Sequence, residues 1–329
     1  MRRRADDSPE TMNTERPVAA HTMRTETCTF FSDGLRLSGA FFLPEGDSGE
    51  GRRPLVVACS GFTGLMNIHP ARFARFLTGD GGAGGSGGAG HRCFSFDYRG
   101  FADSEGERGC VTLEEQTQDI RAALSFVQSD PRVDPDRIIL LGWGMGAGLV
   151  MEASRGRRGV IGIIGANGFY NGDRVQRAHR DEVEYAAFVD RVHEAASWRA
   201  RTGEDLRADP FDLYPLDPQS RAYVDSTLKK FERYDAEPYS YELAESLLRW
   251  RPEAHAPHMT IPLLVAHGDQ NRLHPTSEAT SLFELYGGEK QLFWIEGAGH
   301  TEFMHDDDPK FRALAGRINE FVDRVTAGG

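Results

Sequence analysis

Cysteine is scarce in this chain. The four thiols, Cys28, Cys59, Cys93 and Cys110, are scattered without metal-ligand or disulfide spacing, which excludes a cystine-stapled fold and fits reduced thiols in or near strands. Long apolar runs are also missing. No stretch approaches the roughly 18 residues that a membrane-spanning helix needs. Positive charge is in deficit, and a net charge of −12 argues against nucleic acid or an acidic membrane surface as partner. The amino terminus opens basic, Arg2-Arg3-Arg4, but acids and polar residues follow where a signal peptide would carry an apolar core, so a cytoplasmic protein is expected. The stretch Gly79 to Gly90 is nearly all Gly, Ala and Ser, with no lysine or helix start after it. It reads as a surface linker and not as a phosphate cradle.

What is present is an alternating rhythm. Residues 1–24 mix charge, Pro, Thr and Ser without periodicity and read as a disordered leader. Two β-rich runs, Cys28 to Ser32 and Leu35 to Leu43, flank Asp33-Gly34 and predict an antiparallel hairpin at a sheet edge. Thereafter apolar strand-like runs alternate with helical patterns such as Leu113 to Gln128, the pattern of a mostly parallel twisted sheet flanked by helices. The rhythm stops between residues 174 and 253, where charged helix-favouring sequence takes over. The expected division is therefore a first core part (25–173), a helical cap (174–253) and a second core part (254–329). The cap aromatics, Tyr214 and Tyr223 among them, read more as internal packing than as ligand contacts.

The most informative segment is Gly142-Trp143-Gly144-Met145-Gly146, which follows the apolar run Arg137 to Leu141. It has the form of a nucleophile elbow, a sharp strand-to-helix turn, with glycine where the reacting side chain would stand. Its surroundings carry the resemblance: Ala58-Cys59-Ser60-Gly61-Phe62 and Phe96-Asp97-Tyr98-Arg99-Gly100-Phe101 upstream, His267-Gly268-Asp269-Gln270-Asn271 and Gly297-Ala298-Gly299-His300 downstream. In order and spacing these resemble the α/β-hydrolase superfamily over roughly residues 25 to 326, within a bacterial branch of peptidase-like and esterase-like enzymes.

The resemblance implies that Gly144 occupies the nucleophile position, Asn271 the acid position and His300 the base position. Glycine has no atom that can attack, and asparagine cannot supply the charge that stabilises an imidazolium. Asp269, two residues before Asn271, is either a substitute partner for His300 or a solvated turn residue. The backbone N–H groups of Phe62 and Met145 would line an oxyanion hole, with Trp143 beside them. Ser60 replaces the family's histidine before Gly61 and either bonds ligand or caps the turn; Tyr98 either faces the site or belongs to the loop. His274 reads as a surface residue, and His305 with Asp306, Asp307 and Asp308 as a solvated helix start and not a metal cluster.

These parts imply a cofactor-independent lyase or cyclase acting on a carbonyl compound, with His300 as general base and no covalent intermediate. Nucleophile-less members of the fold resemble tailoring enzymes of secondary metabolism, where elimination of an acyl group or cyclisation of a polyketide-like chain fits. A non-catalytic binding protein and a weak hydrolase using a His300-activated water are the alternatives. The expected partner is a small-molecule substrate, with no cofactor and no metal; a homodimer is left open.

Overall fold

A computed structural model describes residues 23–79, 90–231, 233–234 and 237–328. The leader reading, apart from its last two residues, and the interior of the Gly79 to Gly90 linker lie outside the described residues.

The central sheet has eight strands among the described residues: β1 (Arg24–Ser32), β2 (Leu35–Leu43), β3 (Arg53–Cys59), β4 (Arg92–Phe96), β5 (Val133–Trp143), β6 (Val160–Ala166), β9 (Leu263–Gly268) and β10 (Lys290–Ile295), in spatial order β1-β2-β4-β3-β5-β6-β9-β10. The pair β7 (Arg207–Ala208) and β8 (Tyr239–Ser240) forms a separate small ribbon. β1 and β2 are an antiparallel edge hairpin, and β2 is also antiparallel to β4, while the remaining pairs are parallel. Asp33 and Gly34 both take positive φ, 49° and 83°, as a two-residue hairpin turn requires. On β1 the burial alternates, with Phe30 in the core and Phe31 exposed, whereas all five residues of β4 are buried. That contrast follows from an edge strand with one wet face and an inner strand covered on both.

Helices α1 (His69–Leu77), α2 (Leu113–Ser129), α3 (Met145–Ser154), α9 (Thr276–Leu285) and α10 (Pro309–Ala327) pack on the sheet. Thr112 caps α2 by accepting from the Glu115 N–H, and Asp308 caps α10 by accepting from Lys310. Asp306 instead pairs with Arg72 and Arg75 of α1, so the acidic run is a helix start anchored to a neighbour. The loop after β4 is held from both sides: Arg99 pairs with the buried Asp119 of α2 at 2.6 Å, and Asp97 accepts the Met66 N–H at 2.8 Å. Burial pushes the Asp97 carboxyl up to about 7.

Between β6 and β9 the chain runs through α4 (Gly172–Ala178), α5 (Glu182–Thr202), α6 (Pro210–Leu213), α7 (Pro218–Ser226) and α8 (Glu242–Arg249). A capping box of Asp181 and Glu184 starts α5, and Gly203, at φ 76°, ends it. Arg174 pairs with Glu253 within this insertion and fastens it to the core through the buried Glu278 of α9, which also accepts the N–H groups of Tyr170 and Asn171 at 2.7 and 3.0 Å. The insertion thereby sits over the carboxyl ends of β3, β5 and β6, where an open α/β sheet places its ligands.

Candidate active site

The turn between β5 and α3 puts Gly144 at φ 57°, ψ −124°, a conformation that costs an L-residue strain. A Cβ built on Gly144 would lie 3.5 Å from His300 Nε2 and 3.9 Å from His274 Cε1, in ordinary contact. The turn after β3 abuts it, since a Cβ on Gly61 would lie 3.5 Å from the Met145 nitrogen. Among the described residues neither the Phe62 nor the Met145 N–H meets an acceptor. Two backbone donors therefore stand free beside the turn, at the start of a helix whose dipole adds to their pull on a negative oxygen.

A cavity opens over this turn, lined from the core by Gly61, Phe62, His69, Trp143, Gly144, Met145, Leu273, His300 and Thr301, and from the insertion by Phe211, Tyr214, Leu216, Ser220, Tyr223, Val224 and Leu228. No acidic or basic side chain other than histidine lines it among the described residues. The cavity is thus suited to an uncharged ligand, because a charge brought there would lose its hydration without a counter-ion.

Asn271 sets the state of His300. Its Oδ1 accepts the His274 backbone N–H at 3.0 Å, which obliges its Nδ2 to face His300 Nδ1, 3.2 Å away. An amide N–H can only donate, so Nδ1 accepts and the neutral ring carries its proton on Nε2, toward Gly144. The ring is neutral: burial, then the nearby imidazoles of His274, His267, His69 and His179, hold His300 well below the usual histidine range. This corrects the expectation of His300 as resting general base. An aspartate would leave Nε2 unprotonated and basic; asparagine leaves it a hydrogen-bond donor.

His274, expected at the surface, is fully buried. Its Nδ1–H donates to the Asn167 carbonyl at 2.6 Å and its Nε2 accepts from the Tyr214 hydroxyl. Burial lowers His274 to about 3 and raises Tyr214 well above the phenol range, so the proton rests on Tyr214. The Tyr214 ring stacks on Phe62 at 4.6 Å, and the His274 ring meets His300 edge to face at 4.6 Å. Asn167 ties the parts together from a left-handed φ of 49°. Its Nδ2 donates to the His300 carbonyl at 2.7 Å and its Oδ1 accepts the Gly268 N–H at 2.7 Å.

Sequence reasoning thus missed Asn167, Tyr214, His274 and His69. The first two carried weak signals, an Asn-Gly pair after a strand and a proline-flanked aromatic in the insertion. Three expected site residues lie elsewhere. Asp269 accepts the Gly297 N–H at 2.8 Å and makes no contact with His300, so it is a turn residue. Tyr98 is entirely buried beneath the turn, donating to the Ser60 carbonyl at 3.3 Å, and is a core residue. Ser60 is likewise buried, and its side chain lies outside the cavity lining.

A mostly parallel sheet with this strand order, a strand-turn-helix at its middle and an insertion over its carboxyl edge define an α/β-hydrolase fold. The model of the serine aminopeptidase family S33 matches residues 87–308, and the chain belongs to that family. It is 27% identical over 272 residues to an uncharacterised 31.7 kDa protein of the traX-finO intergenic region of Escherichia coli, covering 82% of this chain and 90% of that protein. It is 26% identical over 327 residues to the polyketide transferase claH of Penicillium crustosum, covering 89% and 94%. The solved α/β hydrolase GrgF from Penicillium sp. sh18 superposes with a TM-score of 0.73 at 17% identity, covering 92% of this chain and 99% of that one. No helix among the described residues is long and apolar enough to cross a membrane.

Proposed function

We propose that this protein is a non-hydrolytic enzyme that polarises the carbonyl of an uncharged, polyketide-like secondary metabolite and carries out elimination of a carboxylate or closure of a ring. The observation that carries this reading is Gly144: at the centre of the turn no side chain can attack, while two free N–H groups and His300 Nε2–H remain around it. An aminopeptidase would also need an anionic partner for the substrate's ammonium, and no acidic side chain lines this cavity among the described residues. The likeness to a polyketide transferase supports the substrate class.

In this reading the Phe62 and Met145 N–H groups hold the carbonyl oxygen. Tyr214 takes the proton from the neighbouring carbon as its own proton passes to His274 Nε2, and the electron pair moves onto the held oxygen as an enolate. Collapse of the enolate forms the carbon–carbon double bond and breaks the bond to the leaving carboxylate. The departing oxygen is steadied by His300 Nε2–H and leaves with the proton returned through Tyr214. For ring closure the same enolate attacks a second carbonyl within the chain, and the proton returns to the new alkoxide.

The test is turnover of a β-acyloxy ketone in heavy-oxygen water. Elimination releases an acid free of the solvent label, and His300→Gln and Tyr214→Phe each slow the reaction by on the order of 10². One labelled oxygen in the released acid, or turnover within a factor of three of wild type in both variants, overturns the proposal.

A further inference from the structure

Three polar side-chain atoms of residues that line the cavity are buried without a well-formed protein hydrogen bond: His69 Nε2, the Tyr223 hydroxyl and the Thr301 Oγ1. Each of the three residues is more than nine-tenths buried. The rings form a row. Tyr223 lies parallel to His69 at 6.1 Å and 19°, His69 lies 5.0 Å from Trp143, and Trp143 lies 5.6 Å from His300. Arg72 is directed to the Met304 carbonyl and Asp306, and its approach to the Tyr223 phenol falls short of a well-formed hydrogen bond. A buried polar atom without a partner costs about 1–3 kcal/mol, and three around one cavity, drawn from three separate segments, call for a ligand that repays the cost.

We propose that His69, Tyr223 and Thr301 form a second subsite that binds an uncharged oxygen substituent, a hydroxyl or carbonyl, on a planar substrate whose reacting carbonyl sits at the Phe62 and Met145 N–H groups. This deepens the function proposed above and rests on it for the placing of the reacting carbonyl. His69 is neutral, since burial and then Arg72 lower it to about 3. A neutral imidazole offers one donor and one acceptor, so with two hydroxyls it can match either kind of oxygen group. The aromatic row and the facing Val224 and Leu228 supply the flat apolar walls between the two ends.

The experiment compares equilibrium binding of two probes, 2-acetonaphthone and 6-hydroxy-2-acetonaphthone, followed by calorimetry on the full chain. Wild type should bind the hydroxylated probe at least 10-fold more tightly, the factor expected when a buried polar group gains its partner. In Tyr223→Phe and in His69→Phe that ratio should fall to within twofold of one. Tyr223→Phe removes a single oxygen and keeps the test open if His69→Phe fails to fold. Equal binding of the probes by wild type, no binding of either at millimolar concentration, or an unchanged ratio in both variants overturns the subsite. Binding is measured without turnover, so the subsite and the proposed reaction fail separately: solvent label in the product refutes the reaction, and loss of the binding ratio does not.

Discussion

The two ends of the cavity are built on opposite terms. Behind Gly144 the side chains that set the site are partnered by the protein itself, through Asn271 to His300, Tyr214 to His274 and Asn167 to the His300 and Gly268 backbones, and only the Phe62 and Met145 N–H groups and His300 Nε2–H are left for a ligand. Around His69 three buried polar atoms in residues that line the cavity have no protein partner. A satisfied network fixes tautomers and ring orientations before a substrate arrives, which is the pre-organisation that proton transfer needs. An unsatisfied cluster does the reverse, holding binding energy in reserve for a ligand that completes it. The proposed chemistry and the proposed recognition would thus fall at two ends of one cavity, with the Trp143 ring between His69 and His300.

Three expected outcomes bear on that comparison. The largest concerns the reacting end. Gly144→Ser places a hydroxyl beside His300 at a turn whose space accepts a Cβ, yet Asn271 keeps the Nε2 proton in place, so the single variant should gain no ester hydrolysis and should lose native turnover by on the order of 10². Adding Asn271→Asp reverses the hydrogen bond to Nδ1 and frees Nε2 as a base. Release of nitrophenol from nitrophenyl acetate should then rise at least 10²-fold over the single variant, and a single variant as active as the double would refute the tautomer assignment.

The second outcome sets the ends against each other by stability. Asn167→Ala leaves the His300 carbonyl and the Gly268 N–H unpaired and should cost about 2–4 kcal/mol, whereas Tyr223→Phe removes an already unpaired hydroxyl and should stay within about 0.5 kcal/mol of wild type or gain. Urea unfolding of both variants measures this, and equal losses would erase the distinction between a satisfied and an unsatisfied end.

The smallest effect is with pH and spans both ends. Burial holds His69 at about 3, His274 at about 3 and His267 at about 4, below the roughly 6.5 of an unfolded chain. As pH falls below about 6.5 the unfolded chain takes up protons first, so stability present at pH 7 is lost, by about 2 kcal/mol per histidine at pH 5. Asp97, pushed up to about 7, acts in the opposite sense, since its contribution is present at low pH and is lost as pH rises through about 7. Thermal melting should therefore show a lower Tm at pH 5 than at pH 7, with a steeper fall in Asp97→Asn and a shallower one in His69→Phe. A Tm that rises on acidification would contradict these assignments.

The sequence by itself determined the fold and the turn. The edge hairpin, the strand run ending at Trp143 and the glycine at the turn centre rest on short-range patterns, namely alternation, turn residues and apolar runs within about ten residues, and the positions of Asn271 and His300 rest on the order and spacing of motifs that resemble the α/β-hydrolases. Only the tertiary structure decided what those residues do. The direction of the Asn271–His300 hydrogen bond depends on which amide atom faces the His274 backbone. The Tyr214–His274 pair joins residues 60 apart in sequence, and His274 meets the Asn167 carbonyl across 107. The unpaired atoms of His69, Tyr223 and Thr301 converge from α1, α7 and the loop after β10. Such contacts leave no periodicity to read, because the packing of distant segments, and not local propensity, sets which polar atoms are partnered and which are left without a partner.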